Sequence, residues 1–170
     1  MREKTDDQNL WNFIYSLFFA IFFLILMWVL YRVHGTLPTT IPFFDALLIV
    51  LATFRLIRLF VYDKITRFVR DLFMRYEEVY SEQGVTYLEA HQTGGGPLRT
   101  VSDLLACPWC FGVWAGLVIT FFYYLTPLAW FPIFVLAVSG VATLFQLTAN
   151  LIGWSAENGK LKAQTFVSRD

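Results

Sequence analysis

Four stretches of this chain are too long and too apolar for a water-facing fold: residues 10–31, 43–62, 107–126 and 128–152. A bilayer core about 30 Å thick needs about 20 apolar residues in helical form. The runs are continuous rather than alternating, and a helix satisfies its own backbone in lipid, so helices are expected rather than a β-barrel. The first run has only Asn12 and Ser16 as clearly polar residues. The second carries Asp45, Arg55 and Arg58, and the third is closed by Pro127. Pro132 stands near the start of the fourth, where a helix tolerates it. The link between the third and fourth is so short that an antiparallel hairpin follows. Composition agrees: 57% of residues are hydrophobic and 15% charged, against about 25% charged in soluble domains.

The net charge is zero, but the basic residues are segregated. Arg2 and Lys4 precede the first span. Lys64, Arg67, Arg70, Arg75 and Arg99 lie between the second and third, and Lys160, Lys162 and Arg169 follow the fourth. The two opposite loops carry only Arg32. The positive-inside rule then puts both termini in the cytoplasm. Trp11, Trp28, Trp130 and Trp154 fall near span ends, as aromatic belts do. No cleavable signal peptide is expected, because the first apolar run exceeds a signal h-region.

The chain therefore divides into a cytoplasmic N-terminus at 1–9, a four-span domain at 10–153 and a cytoplasmic tail at 154–170. Residues 63–80 place apolar side chains at helical spacing, with Asp63, Arg67, Asp71 and Arg75 four apart. This spacing predicts an amphipathic helix at the inner membrane surface, or packed on other cytoplasmic residues. Residues 81–102 read as a flexible loop around Gly94, Gly95, Gly96 and Pro97. That run lacks the Lys-Ser/Thr ending of a phosphate loop, and His91 reads as an exposed loop residue. The fold class expected is all-α: an integral-membrane four-helix bundle with a cytoplasmic amphipathic helix.

Two groups of residues stand out chemically. Cys107 and Cys110 are the only cysteines, so there is no disulfide framework. In CPWCFG, Cys107 suits the N-cap and Pro108 the first helical position, which puts both thiols at the positive end of a helix dipole. Three readings stay open: a reduced packing motif, a redox pair, or half of a Zn or Fe site shared between subunits through Cys107 and Cys110. If no metal is shared, no cofactor is expected. Quinone-linked disulfide-forming proteins and vitamin K epoxide reductases also place a CxxC at a span end. They differ in having a second cysteine pair and outward-facing chemistry.

The second group is Arg55 and Arg58. Counting back from Asp63 at 1.5 Å per residue, Arg58 lies about 7 Å and Arg55 about 12 Å below the inner surface. They either snorkel or join Asp63, Arg67 and Cys110 in one polar cluster. Gly112 and Gly116, and Gly140 beside Ser139 and Thr143, give small faces where helices approach closely, within the bundle or between subunits.

The blocks ATFRLIRLFVYDKITRFVR at 52–70 and LACPWCFGVWAGL at 105–117 resemble a family of small bacterial and phage membrane proteins known as DUF1360, a domain of unknown function. The CPxCxGxW spacing is the more specific of the two. The resemblance implies a multi-pass protein of the bacterial inner membrane and no established activity. The expectation is a scaffold, partner-binding subunit or small pore component, holin-like at the extreme. It would contact membrane lipids and form a homo-oligomer or join a membrane complex, without nucleic acid and more in the manner of a non-enzyme. The rival class is a cytoplasm-facing thiol redox or metal-binding membrane protein.

Overall fold

Breakers in the sequence set the helix ends. In the computed structural model, the backbone is described for residues 2–80, 86–92 and 96–167, and the side chains for residues 8–73 and 96–160. Helix α1 (Arg2–His34) ends at Gly35, which takes φ +73° and returns its N–H to the Tyr31 carbonyl at 2.8 Å. A left-handed residue after a helix is where glycine has no Cβ penalty. Helix α2 (Phe43–Ile57) starts after Pro42, whose carbonyl accepts the Ala46 N–H at 3.0 Å. It runs without a break into one π-helical turn, Arg58–Tyr62.

A short 3-10 turn (Lys64–Thr66), helix α3 (Arg67–Asp71) and an antiparallel pair, β1 (Met74–Tyr80) with β2 (Thr86–Gln92), follow. Helix α4 (Pro97–Ala106) and helix α5 (Pro108–Leu125) are separated by Cys107 alone. A 3-10 turn (Pro127–Ala129) leads into the long α6 (Trp130–Val167).

The fold is all-α in its framework, with the β1–β2 ribbon as an insertion among the described residues. α2 is the central helix, packed on α6 and α5. Leu48, Ile49 and Ala52 of α2 meet Ile119 of α5 and Ile133 and Ala137 of α6. Small residues let these helices close up. A Cβ at Gly140 would stand 2.6 Å from the Leu51 carbonyl oxygen, one at Gly112 3.1 Å from Ile57 Cδ1, and one at Gly116 3.7 Å from Thr53 Cγ2. All three glycines thus lie against α2 within one chain.

α1 sits outside this core. The Trp114 ring of α5 receives Phe18, Phe19 and Phe22 at centroid distances of 6.0, 4.7 and 5.8 Å. Among the described residues, three helical segments are long and apolar enough to cross a membrane: Gln8–His34, Pro108–Leu125 and Pro127–Lys160. α2 is shorter, at 15 residues, and the π turn lengthens it by five.

Two local expectations are corrected. The amphipathic helix over 63–80 does not form as one element. Asp63 is extended (φ −73°, ψ 146°), α3 is five residues long, and residues 74–80 form β1. A helix so short gains little by itself. Tyr76, Val79 and Tyr80 favour a strand once a partner is available, and 86–92 supplies it, with Tyr76 opposite Ala90 and Val79 opposite Tyr87. Within the expected loop over 81–102, the described residues form β2 and the start of α4. Residues 81–85 and 93–95, with Gly94 and Gly95, lie outside the described residues. Gly96 (φ +88°) and Pro97 at the first helical position turn the glycine-rich run into the start of α4.

Candidate functional site

The residue between α4 and α5 is the chemically distinctive one. Cys107 adopts an extended conformation (φ −103°, ψ 105°) at the N-cap of α5, and Pro108 fills the first helical position. The Cys107 carbonyl accepts the Phe111 N–H at 3.0 Å, and its Sγ accepts the Cys110 N–H at 3.4 Å. The sulfur thus satisfies a first-turn donor that has no partner within the helix. A hydrogen bond from the Cys110 side chain, then those from the backbone of Cys110 and Trp109, hold the Cys107 thiol below its ordinary value against a smaller opposing desolvation. Both cysteines are free, and Cys110 is exposed.

The thiols line a cleft of about 470 Å³ between α1, α4 and α5. Asn12, Ser16, Thr100 and Asp103 supply its polar wall, and Phe19 and Trp114 its aromatic wall. One side is held by a hydrogen-bonded clasp. Gln8 Nε2 donates to Thr100 Oγ1 at 2.9 Å and to Asn12 Oδ1 at 3.4 Å, and Thr100 Oγ1 donates to Asn12 Oδ1 at 3.2 Å. Ser16 Oγ donates to the Asn12 carbonyl at 2.9 Å. Of the two polar residues in the first apolar run, Asn12 therefore serves the docking of α1 on α4, while Ser16 bonds back within α1 and faces the cleft. Asp103 and Thr100 carry no distinguishing motif and were not legible from spacing.

The arginines lie elsewhere. Arg55 Nη1 donates to Asp63 Oδ2 at 2.9 Å, and the Arg58 guanidinium lies 4.7 Å from the Tyr62 ring centroid. Arg67 pairs with Asp71 at 3.6 Å. Of the expected cluster of Arg55, Arg58, Asp63, Arg67 and Cys110, Arg55 and Asp63 are paired, while the cysteines look toward α1 and Cβ of Arg55 faces Gly140 of α6. Depth alone placed Arg55 beside the thiols, whereas rotation about the helix axes turns Arg55 toward α6 and the thiols toward α1.

A residue not singled out from the sequence organises this end of α2. Buried Arg70 donates from Nη1 to the Phe60 carbonyl at 3.1 Å and from Nη2 to the Asp63 carbonyl at 2.9 Å. The Thr66 hydroxyl donates to the Leu59 and Asp63 carbonyls. Together they satisfy carbonyls left open where the π turn ends. At the opposite end, Asp45 occupies the first turn of α2, beside the Tyr123 hydroxyl.

Among the described residues, no three His, Cys, Asp or Glu side chains group closely enough to hold a metal ion. The two thiols of one chain supply half of a tetrahedral sulfur set, and the side chain of His91 lies outside the described residues.

The family model described as a protein of unknown function (DUF1360) matches residues 48–149, and the chain belongs to this family. It is similar to UPF0713 protein YngL of Bacillus subtilis, at 31% identity over 107 residues, 62% of this chain and 78% of the relative. It is also similar to sporulation protein YjcA of the same organism, at 35% identity over 100 residues, 58% of this chain and 85% of the relative. No solved structure gives a significant match.

Proposed function

We propose that this DUF1360 protein is a multi-pass subunit of the bacterial cell membrane that assembles with further copies of itself along α6. α1, α2 with its π turn, α5 and the first part of α6 would form the four crossings, with both termini cytoplasmic. The segregation of Lys and Arg supports that orientation.

The observation that carries the assembly is the apolar seam of α6. The helix is 38 residues long, about 57 Å at 1.5 Å per residue, against a bilayer core of about 30 Å. Ala137 and Gly140 pack on α2. The same face continues past that contact as Leu144, Leu147, Leu151 and Trp154, which are 42, 38, 64 and 69% exposed. From Ala137 onward the spacing alternates three and four, the repeat of a coiled-coil seam. The seam is continuous with the α2 interface but outlasts it. Copies inserted in the same orientation present it in parallel and at equal depth, so a closed symmetric contact buries it. The role is structural, a membrane scaffold or partner-binding subunit, and lipids cover the remaining apolar surface. The name of the relative YjcA suggests the membranes of a sporulating cell as one setting.

Cysteine scanning along α6 in the Cys107→Ser/Cys110→Ser background tests this in native membranes. Substitutions at Leu147, Leu151 and Trp154 are expected to cross-link between copies, and those at Ala149 and Gly153, on the opposite face, are not. Cross-linking without that periodicity, or none at any position, refutes assembly along α6.

A further inference from the structure

We propose that Cys107 and Cys110 form a two-electron thiol–disulfide exchange site that receives a disulfide-bearing substrate in the cleft between α1, α4 and α5. Cys107 is the attacking sulfur. It sits at the N-cap, where its Sγ already accepts the Cys110 N–H at 3.4 Å, so the first turn of α5 stabilises negative charge there. Cys110 is the resolving sulfur, one turn inward and exposed. Both line one cleft of about 470 Å³, and Trp109 between them is 84% exposed. The cleft gives a substrate a polar wall for its hydrogen-bonding groups and an aromatic wall for its apolar ones. The thiols are therefore placed for reaction rather than sealed into packing.

The chemistry balances without another cofactor. The Cys107 thiolate attacks one sulfur of the substrate disulfide. The substrate S–S bond breaks, and the first substrate thiolate leaves with the electron pair. Cys110 then attacks the Cys107 sulfur of the mixed disulfide and expels the second thiolate. The protons lost by the two cysteines end on the two departing sulfurs. One disulfide is reduced to two thiols, and Cys107 and Cys110 become joined. On the reducing side of a membrane the pair rests reduced. Only that resting state depends on the cytoplasmic orientation proposed above; the exchange can be tested in detergent, independently of orientation or assembly.

The test uses the full chain, purified reduced and titrated with oxidised glutathione, followed by thiol-trapping mass spectrometry. Wild type is expected to form an internal Cys107–Cys110 disulfide without a stable adduct. Cys110→Ser is expected to stop at a glutathione adduct on Cys107. Cys107→Ser, which keeps a good N-cap residue, is expected to form an adduct on Cys110 at least about threefold more slowly. Equal adduct rates at the two cysteines, or no internal disulfide at any glutathione ratio, overturn the proposal. Purified protein with Zn or Fe bound at about one ion per two chains, and thiols blocked to glutathione until it is chelated, also overturns it in favour of a shared metal site.

Discussion

The approach of α6 to α2 gives a quantitative prediction at Gly140. A methyl group there would stand 2.6 Å from the Leu51 carbonyl oxygen and 3.3 Å from its carbon, both backbone atoms that cannot turn aside. Relief to the short end of ordinary contact, near 3.4 Å, requires the helices to part by roughly 0.8 Å, and that loosens Ala52 against Ala137. Overpacking of this kind costs about 1–3 kcal/mol. Replacing a mid-helix glycine with alanine recovers about 0.5–1 kcal/mol of helix propensity. Gly140→Ala is therefore expected to destabilise the bundle by about 1–2 kcal/mol. Gly116→Ala meets only a methyl at 3.7 Å, so the propensity gain dominates and stability rises by about 0.5–1 kcal/mol. At Gly112 the obstacle, at 3.1 Å, is the far end of the Ile57 side chain, and the two effects nearly cancel. Unfolding in mixed micelles by SDS titration, followed by circular dichroism, measures all three. Equal effects at the three glycines, or a stabilising Gly140→Ala, refute the close-approach argument.

Three further outcomes follow from the same geometry. Asp63→Asn is expected to destabilise by about 1–3 kcal/mol through loss of a charge-assisted bond, and Arg55→Met added to it should recover part of that loss; additive effects in the same titration refute the coupling. Arg70→Met removes both donors from the Phe60 and Asp63 carbonyls, with an expected cost of about 2–4 kcal/mol and faster amide exchange in the π turn, and Arg70→Lys is expected to restore only part. The lowered Cys107 pKa means its thiolate persists at a pH where an ordinary thiol is protonated. Iodoacetamide labelling of Cys107 should therefore reach its plateau at lower pH than a free thiol, and slow only as pH falls through the depressed value. By linkage, the deprotonated form favours the folded state above that value. A labelling profile matching free cysteine refutes the N-cap assignment.

The parts of the fold legible in the sequence are those decided locally. Gly35, Pro42 and Pro127 stop or start helices wherever they stand, so the apolar runs between them could be placed closely. CPxC fixes its own first turn, which is why the N-cap position of Cys107 followed from its neighbours. The ribbon did not follow. Residues 65–73 are helical in pattern, and the strand tendency of Tyr76, Val79 and Tyr80 is expressed only because 86–92 lies opposite. The arginine–thiol cluster was legible in part: the Arg55–Asp63 pair forms, but hydropathy reports depth alone and does not tell that Arg55 faces α6 while the thiols face α1. The cleft was partly visible, since Asn12 and Ser16 were the polar exceptions in α1, but its α4 wall was hidden in a stretch that read as loop.

The Arg55–Asp63 pair bears on the order in which the chain is built. An arginine at the centre of a crossing helix costs roughly 2.5–3.5 kcal/mol on insertion scales, a cost often offset by another helix. Here the counter-charge lies eight residues downstream on the same segment, and the π turn brings it back within bonding distance. If α2 is a crossing, as proposed above, Arg55 would enter the bilayer already paired with Asp63, before α5 and α6 have been synthesised, with Arg58 resting on the Tyr62 ring. On that reading the most polar crossing would be able to go in early, and the helices that later pack on it would meet an arginine already paired within its own segment.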